Sequence, residues 1–424
     1  MEIVFLLVPL ILLALGFPIY IIFLAASAVA LTLVVRVPAT VMVQTMFGSL
    51  DVFPLIAVPF FIFFGEIIAR GGISKRLINW FLSLFGGLPG SLALATLGAT
   101  EVFSAMSGAS SAATAAIGRT MYPALLAGGY RQWFAAGLMT SVGSIDVVIP
   151  PSIAMILYGA SAQESVALLY LAGFVPGILI GAFLALYIVF HALRNRVPVT
   201  SGFQWPTFLR STRQVLWSLG APLLILGGIY SGIFTPTEAA GMAVVYAMVV
   251  SVALHRDLKV KDIWQIAANS AILTAQIMVI VAASGVFSWL LTVSGIPQAI
   301  IAWINSLAVP PWAVMLMINL FLLLVGALID PTSAILVLTP LLLPIARAIG
   351  FDPIHFGIIM AVNLAIGMYT PPFGLNIFVM QALFGLPVRR IVPGIVPFFL
   401  INVGALMLIT YIPEISLFLV RIRQ

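Results

Sequence analysis

Long runs without a single Asp, Glu, Lys or Arg divide this chain. They cover residues 165–190, 214–237, 263–294, 311–329 and 391–413. A helix needs about 20 apolar residues to cross a hydrocarbon core of roughly 30 Å. Backbone inside lipid must satisfy its own hydrogen bonds, so these runs predict spanning helices. The alternating segments of a membrane barrel do not occur. Helices are expected at about 2–17, 19–35, 52–70, 89–106 and 166–193 in the first half. In the second half they fall at about 215–233, 236–254, 263–292, 311–329 and 392–420. Residues 1–35 and 214–254 leave the number of crossings at eleven or twelve.

The pattern repeats. Gly72-Ile73 matches Gly295-Ile296, and Trp80 matches Trp303, at an offset of 223 residues. Ser110 and Ser111 match Thr332 and Ser333 at 222. Pro123 with Pro344, Gly129 with Gly350, and the Pro150-Pro151 pair with Pro371-Pro372 all match at 221. Such internal duplication marks secondary transporters. Six full crossings per half would make the halves parallel, whereas an inverted pair needs an odd number. The expected organisation is a first repeat over 1–193, a basic cytoplasmic linker over 194–213 and a second repeat over 214–424. The first repeat carries scaffold helices, an interfacial arm helix at 73–85, a hairpin at about 100–125 and a broken helix at 131–160. The second carries an arm helix at 298–308, a hairpin at about 325–349 and a broken helix at 353–384.

The interruptions hold the candidate chemistry. Ser104, Ser107, Ser110, Ser111 and Thr114 crowd a segment too short and polar for an ordinary span. A re-entrant hairpin with a Ser/Gly tip fits it. Asp330, Pro331, Thr332 and Ser333 form the matching second tip. Half-helix N-termini offer amides to an anion, and unwound carbonyls offer oxygen to a hard cation. The rival reading is small-residue helix packing, with hydroxyls bonded one turn back. Each Pro-Pro removes backbone donors, stranding carbonyls near 146–149 and 367–370; the rival is a structural kink. Gly143, Asp146, Pro150 and Pro151 mark the first break, and Asn363, Gly367 and Thr370 the second. An intramembrane carboxylate is functional by default, but Asp146 also has Arg119 and Arg131 in its half as ion-pair candidates. Glu101 and Asp330 carry the same two readings. Glu238 follows Thr235-Pro236 as a helix-start cap.

Composition agrees with lipid as solvent. Hydrophobic residues make up 63% of 424 positions, charged residues 7%, and the mean hydropathy is +1.23. The net charge of +6 lies in loops such as Arg194, Arg196, Arg210 and Arg213, the pattern of cytoplasmic retention rather than nucleic-acid binding. The absence of cysteine excludes disulfides and thiolate metal sites. The N-terminal stretch reads as a retained helix rather than a cleaved signal. No Walker segment, nucleophile elbow or zincin motif occurs, and His191, His255 and His355 lack metal spacing. No cofactor is expected.

The stretch Ser107–Gly118 resembles a motif of the large membrane subunit of tripartite ATP-independent periplasmic (TRAP) transporters. So do Ile149–Ile153 with Tyr158-Gly159, Gly232–Ala240, Asp352–Gly357, Asn363–Gly367 and Thr370–Gly374. The similarity runs essentially end to end. It implies an all-α polytopic fold of the ion-transporter superfamily, with two re-entrant hairpins, an inverted repeat and elevator motion. It implies sodium-driven uptake of an organic acid, such as a C4-dicarboxylate or sialic acid, across the bacterial inner membrane. The implied partners are a small four-helix membrane subunit and a periplasmic substrate-binding protein. Sodium and the substrate carboxylate would be held at the hairpin tips and broken helices. Asp146 departs from the small apolar stretch expected before the first Pro-Pro. A self-sufficient symporter of the same superfamily, a membrane-embedded enzyme and a non-transporting scaffold are the competing readings.

Overall fold

Apolar side chains point outward along most of the long helices: Trp264 is 81% exposed and Leu223 70%. Water would penalise such a surface; lipid does not. The structure is a computed structural model and describes residues 2–32, 38–108, 110–199 and 202–423. The end of the helix expected at 19–35 and Ala109, in the first hairpin tip, lie outside the described residues. Among the described residues there are twenty α-helices and no strand.

The first half holds α1 (Glu2–Ala14), α2 (Ile19–Ala30), α3 (Ala39–Leu50), α4 (Ala57–Arg70) and α5 (Ile73–Phe85). Then come α6 (Ser91–Ser107), α7 (Ser110–Ala127), α8 (Gln132–Val142), α9 (Ile153–Ala162) and α10 (Val166–Arg194). The second half holds α11 (Trp205–Tyr230), α12 (Pro236–Met248), α13 (Val260–Val293), α14 (Ile296–Ser306) and α15 (Pro311–Gly326). It ends with α16 (Pro331–Ala348), α17 (Pro353–Gly367), α18 (Leu375–Phe384), α19 (Val388–Tyr411) and α20 (Glu414–Arg423). Among the described residues six helices are long and apolar enough to cross a membrane: Phe53–Arg70, Val166–Arg194, Pro236–Leu254, Val260–Val293, Pro331–Ala348 and Val388–Tyr411. In Pro331–Ala348, 67% of the apolar window is buried inside the protein, against 50% or less in the others. That helix belongs to the interior.

The duplication reads directly in the backbone. Both arm helices start from a left-handed glycine, Gly72 (φ 64°) before α5 and Gly295 (φ 71°) before α14. Gly129 (φ 87°) and Gly350 (φ 88°) follow α7 and α16. Packing is reciprocal: α7 lies on α18 as α16 lies on α9, and α8 lies on α19 as α17 lies on α10. Each such contact is its counterpart with the halves exchanged, as a pseudo-two-fold axis requires. The direction of the axis follows from α13. Arg76 on α5 clasps Asp257, just before α13, at 2.6 and 3.1 Å, while α14 starts just past the other end. The 34 residues of α13 span about 50 Å at 1.5 Å per residue, more than a hydrocarbon core. The arms therefore lie on opposite faces, and the repeat is inverted.

Inversion needs an odd number of crossings per half, and the hairpins supply it. The helices expected separately at 89–106 and 311–329 are first arms of hairpins, so the hairpins begin at Ser91 and Pro311, not near 100 and 325. In the first hairpin Gly128, at the end of α7, sits against Leu92, at the start of α6; the chain enters and leaves on one side. The turn is made by Gly108 (φ 59°), which donates to Ser104 at 2.9 Å. These arms read as full crossings because they are just as apolar. The basic linker is also shorter than 194–213: α11 starts at Trp205 with proline in its first turn, so Arg210 and Arg213 ride on a helix. The cap at Glu238 is present, as a reciprocal pair with Thr235 at 2.8 and 3.2 Å.

The first broken helix and the first half of the second are sealed in protein, whereas Pro371–Phe373 and much of α18 are exposed. Every residue of α17 after Pro353 is buried, and α8 and α9 are buried along almost their whole length. Non-helical backbone at membrane depth survives only in such surroundings. The tightest seal is α8 against α19, where a Cβ on Gly137 would overlap the carbonyl of Gly394. Gly137→Val should therefore lower stability by about 1–3 kcal/mol, the usual cost of overpacking. Thermal melting and size-exclusion profiles of the detergent-purified protein check this; an unchanged melt would show that the contact is not tight.

Candidate functional site

Both hairpin tips and both helix breaks open onto one cavity of about 420 Å³. The first tip contributes Ser107, Gly108, Ser110, Ser111 and Ala112; the second contributes Asp330, Pro331 and Thr332. The first break brings Asp146, Val147 and Ser152, and the second brings Met368 and Leu375. Helix α4 adds Gly65 and Glu66, and α13 adds Leu273 and Gln276. Gly65 allows this approach, because a Cβ there would overlap the carbonyl of Ser107.

The backbone leaves the helix in three steps at the first break. Helix α8 tightens to a 3-10 turn over Gly143–Val147, then Pro150-Pro151 stops it, and α9 resumes at Ile153. Both Pro-Pro bonds are cis. The stranded carbonyls are answered in part by the protein. The Ser152 hydroxyl donates to Val147 at 2.9 Å, and the Asn376 amide donates to Met368 at 3.0 Å. Pro150 and Pro151 thus shape the wall without lining it.

Asp146 is 5% exposed and forms no ion pair with Arg119 or Arg131 among the described residues. Instead its carboxylate lies beside the backbone amides of Val147 and Ser110, while Oδ1 has no hydrogen-bond partner. Ser110 opens α7, so Asp146 sits at that helix's positive end. Asp330 does the same for α16: Oδ2 accepts from the Ser333 amide at 3.0 Å and Oδ1 from the Ser333 hydroxyl at 2.7 Å. The expectation that both helix starts offer free amides to an anion is revised accordingly. Each start is already faced by a carboxylate of the chain itself.

Around the first tip, oxygens remain unanswered. Ser107 Oγ, Thr114 Oγ1 and Asp146 Oδ1 are buried without a hydrogen-bond partner. Thr114 Oγ1 occupies the space where a Cβ on Gly143 would lie, and the Ser104 hydroxyl donates to the Gly143 carbonyl at 3.3 Å. An all-oxygen set suits a hard cation, and these residues fit sodium. Among the described residues no group of three His, Cys, Asp or Glu side chains converges as a metal site; Glu66, Asp146 and Asp330 are spread around the wall.

Of the residues singled out in the sequence, Ser107, Ser110, Ser111, Asp146, Asp330 and Thr332 meet at the cavity, with Gly143, Thr114 and Ser333 behind it. Asn363, Gly367 and Thr370 are not brought to it. Asn363 donates to Asn319 at 2.8 Å, and Asn319 donates to Thr410 at 3.1 Å. Gly367 packs against Gly326. The Thr370 hydroxyl bonds back to Ile366 at 2.6 Å. The polar residue that does reach the tip from the second break is Asn376. It donates to Ser110 Oγ at 2.8 Å and to the Thr140 carbonyl at 3.1 Å. A lone Asn in the apolar stretch that forms α18 marked its position, though not its partner; Glu66 and Gln276, polar on apolar helices, gave the same signal.

Comparison with known proteins places this geometry in a family. The family described as "Tripartite ATP-independent periplasmic transporter, DctM component" matches residues 6–415. The C4-dicarboxylate TRAP transporter large permease protein DctM of Pseudomonas aeruginosa is 38% identical over 390 residues, 92% of this chain and 91% of that one. The ectoine/5-hydroxyectoine TRAP transporter large permease protein UehC of Ruegeria pomeroyi is 37% identical over 411 residues, 96% of each. The isethionate TRAP transporter permease protein DctMQ of Oleidesulfovibrio alaskensis is 36% identical over 382 residues; the match takes 90% of this chain but 60% of that longer protein. In fold, the chain is similar to the crystal structure of the YdaH transporter of Alcanivorax borkumensis, with a TM-score of 0.59 at 12% identity over 88% of this chain and 87% of that one. A chain matched over nearly its whole length by the DctM family and by its transporter permeases belongs to that family: it is a large membrane component of the TRAP transporter type, not an enzyme.

Proposed function

We propose that this chain moves a small organic acid across the bacterial inner membrane, driven by sodium. The observation that carries the reading is the convergence of two hairpin tips and two helix breaks on one cavity containing unanswered oxygens. Ser107 and Thr114, with main-chain carbonyl oxygens of the first break, would hold the cation around the first tip, and Ser111, Thr332 and Gln276 would meet the solute. Sodium supplies positive charge that offsets the carboxylates on the wall. The hairpins and broken helices form the moving body. Helices α2, α3, α4 and α11 to α13 form the frame, and the arms α5 and α14 connect the two. Elevator motion suits this division, since the moving body is buried on itself and slides as a unit. A small four-helix membrane subunit would widen the frame, and a periplasmic binding protein would deliver the solute. Relatives named for C4-dicarboxylate, ectoine and isethionate transport support a compact solute without naming it.

The test is uptake into proteoliposomes containing the chain with its small subunit and loaded binding protein. A sodium gradient should drive accumulation, and dissipating it should stop accumulation. Uptake indifferent to sodium would refute the coupling, and full sodium-driven uptake by the chain alone would refute the tripartite assembly.

Two substitutions follow from the geometry. Asn376→Leu strands Ser110 and the Thr140 carbonyl, so uptake should fall tenfold or more, about 1.4 kcal/mol or above, in protein that still purifies as a single species. Asn363→Ala opens the network with Asn319 and should act on stability instead, lowering the melting temperature while the half-saturating sodium concentration stays unchanged. A shifted sodium requirement in Asn363→Ala would return that residue to the ion site.

A further inference from the structure

The cavity wall has an unusual charge pattern for a carrier of anions. Glu66, Asp146 and Asp330 all line it, and none of its described lining residues is Lys, Arg or His. The three acids are not equivalent. Glu66 has Arg70 one turn away at 3.4 Å. Asp330 spends both oxygens on Ser333. Asp146 alone combines near-complete burial with an oxygen that nothing in the protein answers. A buried charge without a partner is costly, and a permanent protein cation is not what offsets it here.

The three acids also do not converge, so a multivalent metal ion does not explain them together. Asp146 faces the start of α7, where a free solute carboxylate would otherwise bind. It blocks that place for an anion and presents a negative charge in its stead. A solute group brought to Asp146 gains by being positive.

Resting on the transport reading above, we infer that Asp146 is a specificity-determining residue that receives the cationic group of a zwitterionic solute. The solute class is a small organic acid that also carries a quaternary ammonium, protonated amine or amidinium group. Its carboxylate lies away from Asp146, toward Thr332 and Gln276 on the opposite wall. A simple dicarboxylate is disfavoured, because one of its two charges would approach Asp146 directly.

The chain has no cysteine, so Ala112→Cys places one thiol on the cavity wall. The full-length protein in nanodiscs is labelled with a trimethylammonium methanethiosulfonate and with a sulfonate methanethiosulfonate, each rate divided by its rate with a free thiol in solution. The expected preference for the cationic reagent is tenfold or more, falling to threefold or less when Asp146→Asn is added and persisting with Asp146→Glu. No preference, a preference for the anionic reagent, or an unchanged ratio in Asp146→Asn overturns the inference. The last result would mean that the carboxyl is neutral or points elsewhere.

Protection in the Ala112→Cys protein needs no further variant. With sodium present, glycine betaine should slow labelling more strongly than succinate at equal concentration. Sodium-dependent protection by succinate as good as that by betaine overturns the zwitterion while keeping the transport site. Absence of any sodium-dependent protection by either solute removes both.

Discussion

In hydrocarbon an amide or carbonyl that loses its helical partner has no water to turn to. Everything distinctive about this chain follows from how that demand is met at four places: two hairpin tips and two proline breaks. At the two tips and the first break the answer is burial within protein, while Pro371–Phe373 at the second break is exposed. Hairpin 2's inner arm, both broken helices and the inner face of α4 surround the interruptions, and the lipid sees mostly α10, α11, α13 and α19. Where the protein supplies a donor, as Ser152 does for Val147 and Asn376 for Met368, the break is structural. Where it leaves an oxygen open, as at Ser107, Thr114 and Asp146, the break can accept a cation.

Duplication makes the arrangement economical in sequence but not identical in chemistry. The two hairpins turn by different devices. The first uses a left-handed glycine at Gly108, while the second uses Asp330 as a helix cap. The acid at the head of α16 comes from its own tip, and the acid at the head of α7 comes from the neighbouring break. The same electrostatic task, a carboxylate at a positive helix end, is therefore solved locally in one half and by tertiary contact in the other. That difference leaves Asp146 with an unused oxygen and Asp330 without one.

Much of this was legible beforehand. Charge-free runs gave the helices, and glycine and proline at a fixed offset gave the repeat, because both residue types are dictated by backbone geometry that the fold imposes twice. The hairpin starts were not legible: α15 is as apolar and as exposed as a true crossing, and α6 is set apart chiefly by its near-complete burial. Among the polar residues, Ser107, Ser110, Ser111, Asp146, Asp330 and Thr332 were found because they sit next to the breaks in sequence. Asn363 and Thr370 sit equally near a break but on faces turned to α15 and back along their own helix. Asn376 escaped notice because its role depends on α18 lying against α7, a contact across 266 residues that no local pattern encodes.

The length of α13 has a mechanical meaning. One unbroken helix without internal proline, reaching from the Arg76–Asp257 clasp to Gly295, acts as a strut between the two sides of the bilayer. The arms at its ends are held a constant distance apart, so neither can follow the other. On the elevator reading proposed above, a body hung between them would change depth by bending at its own attachments, and the left-handed glycines that open α5 and α14 would be the joints.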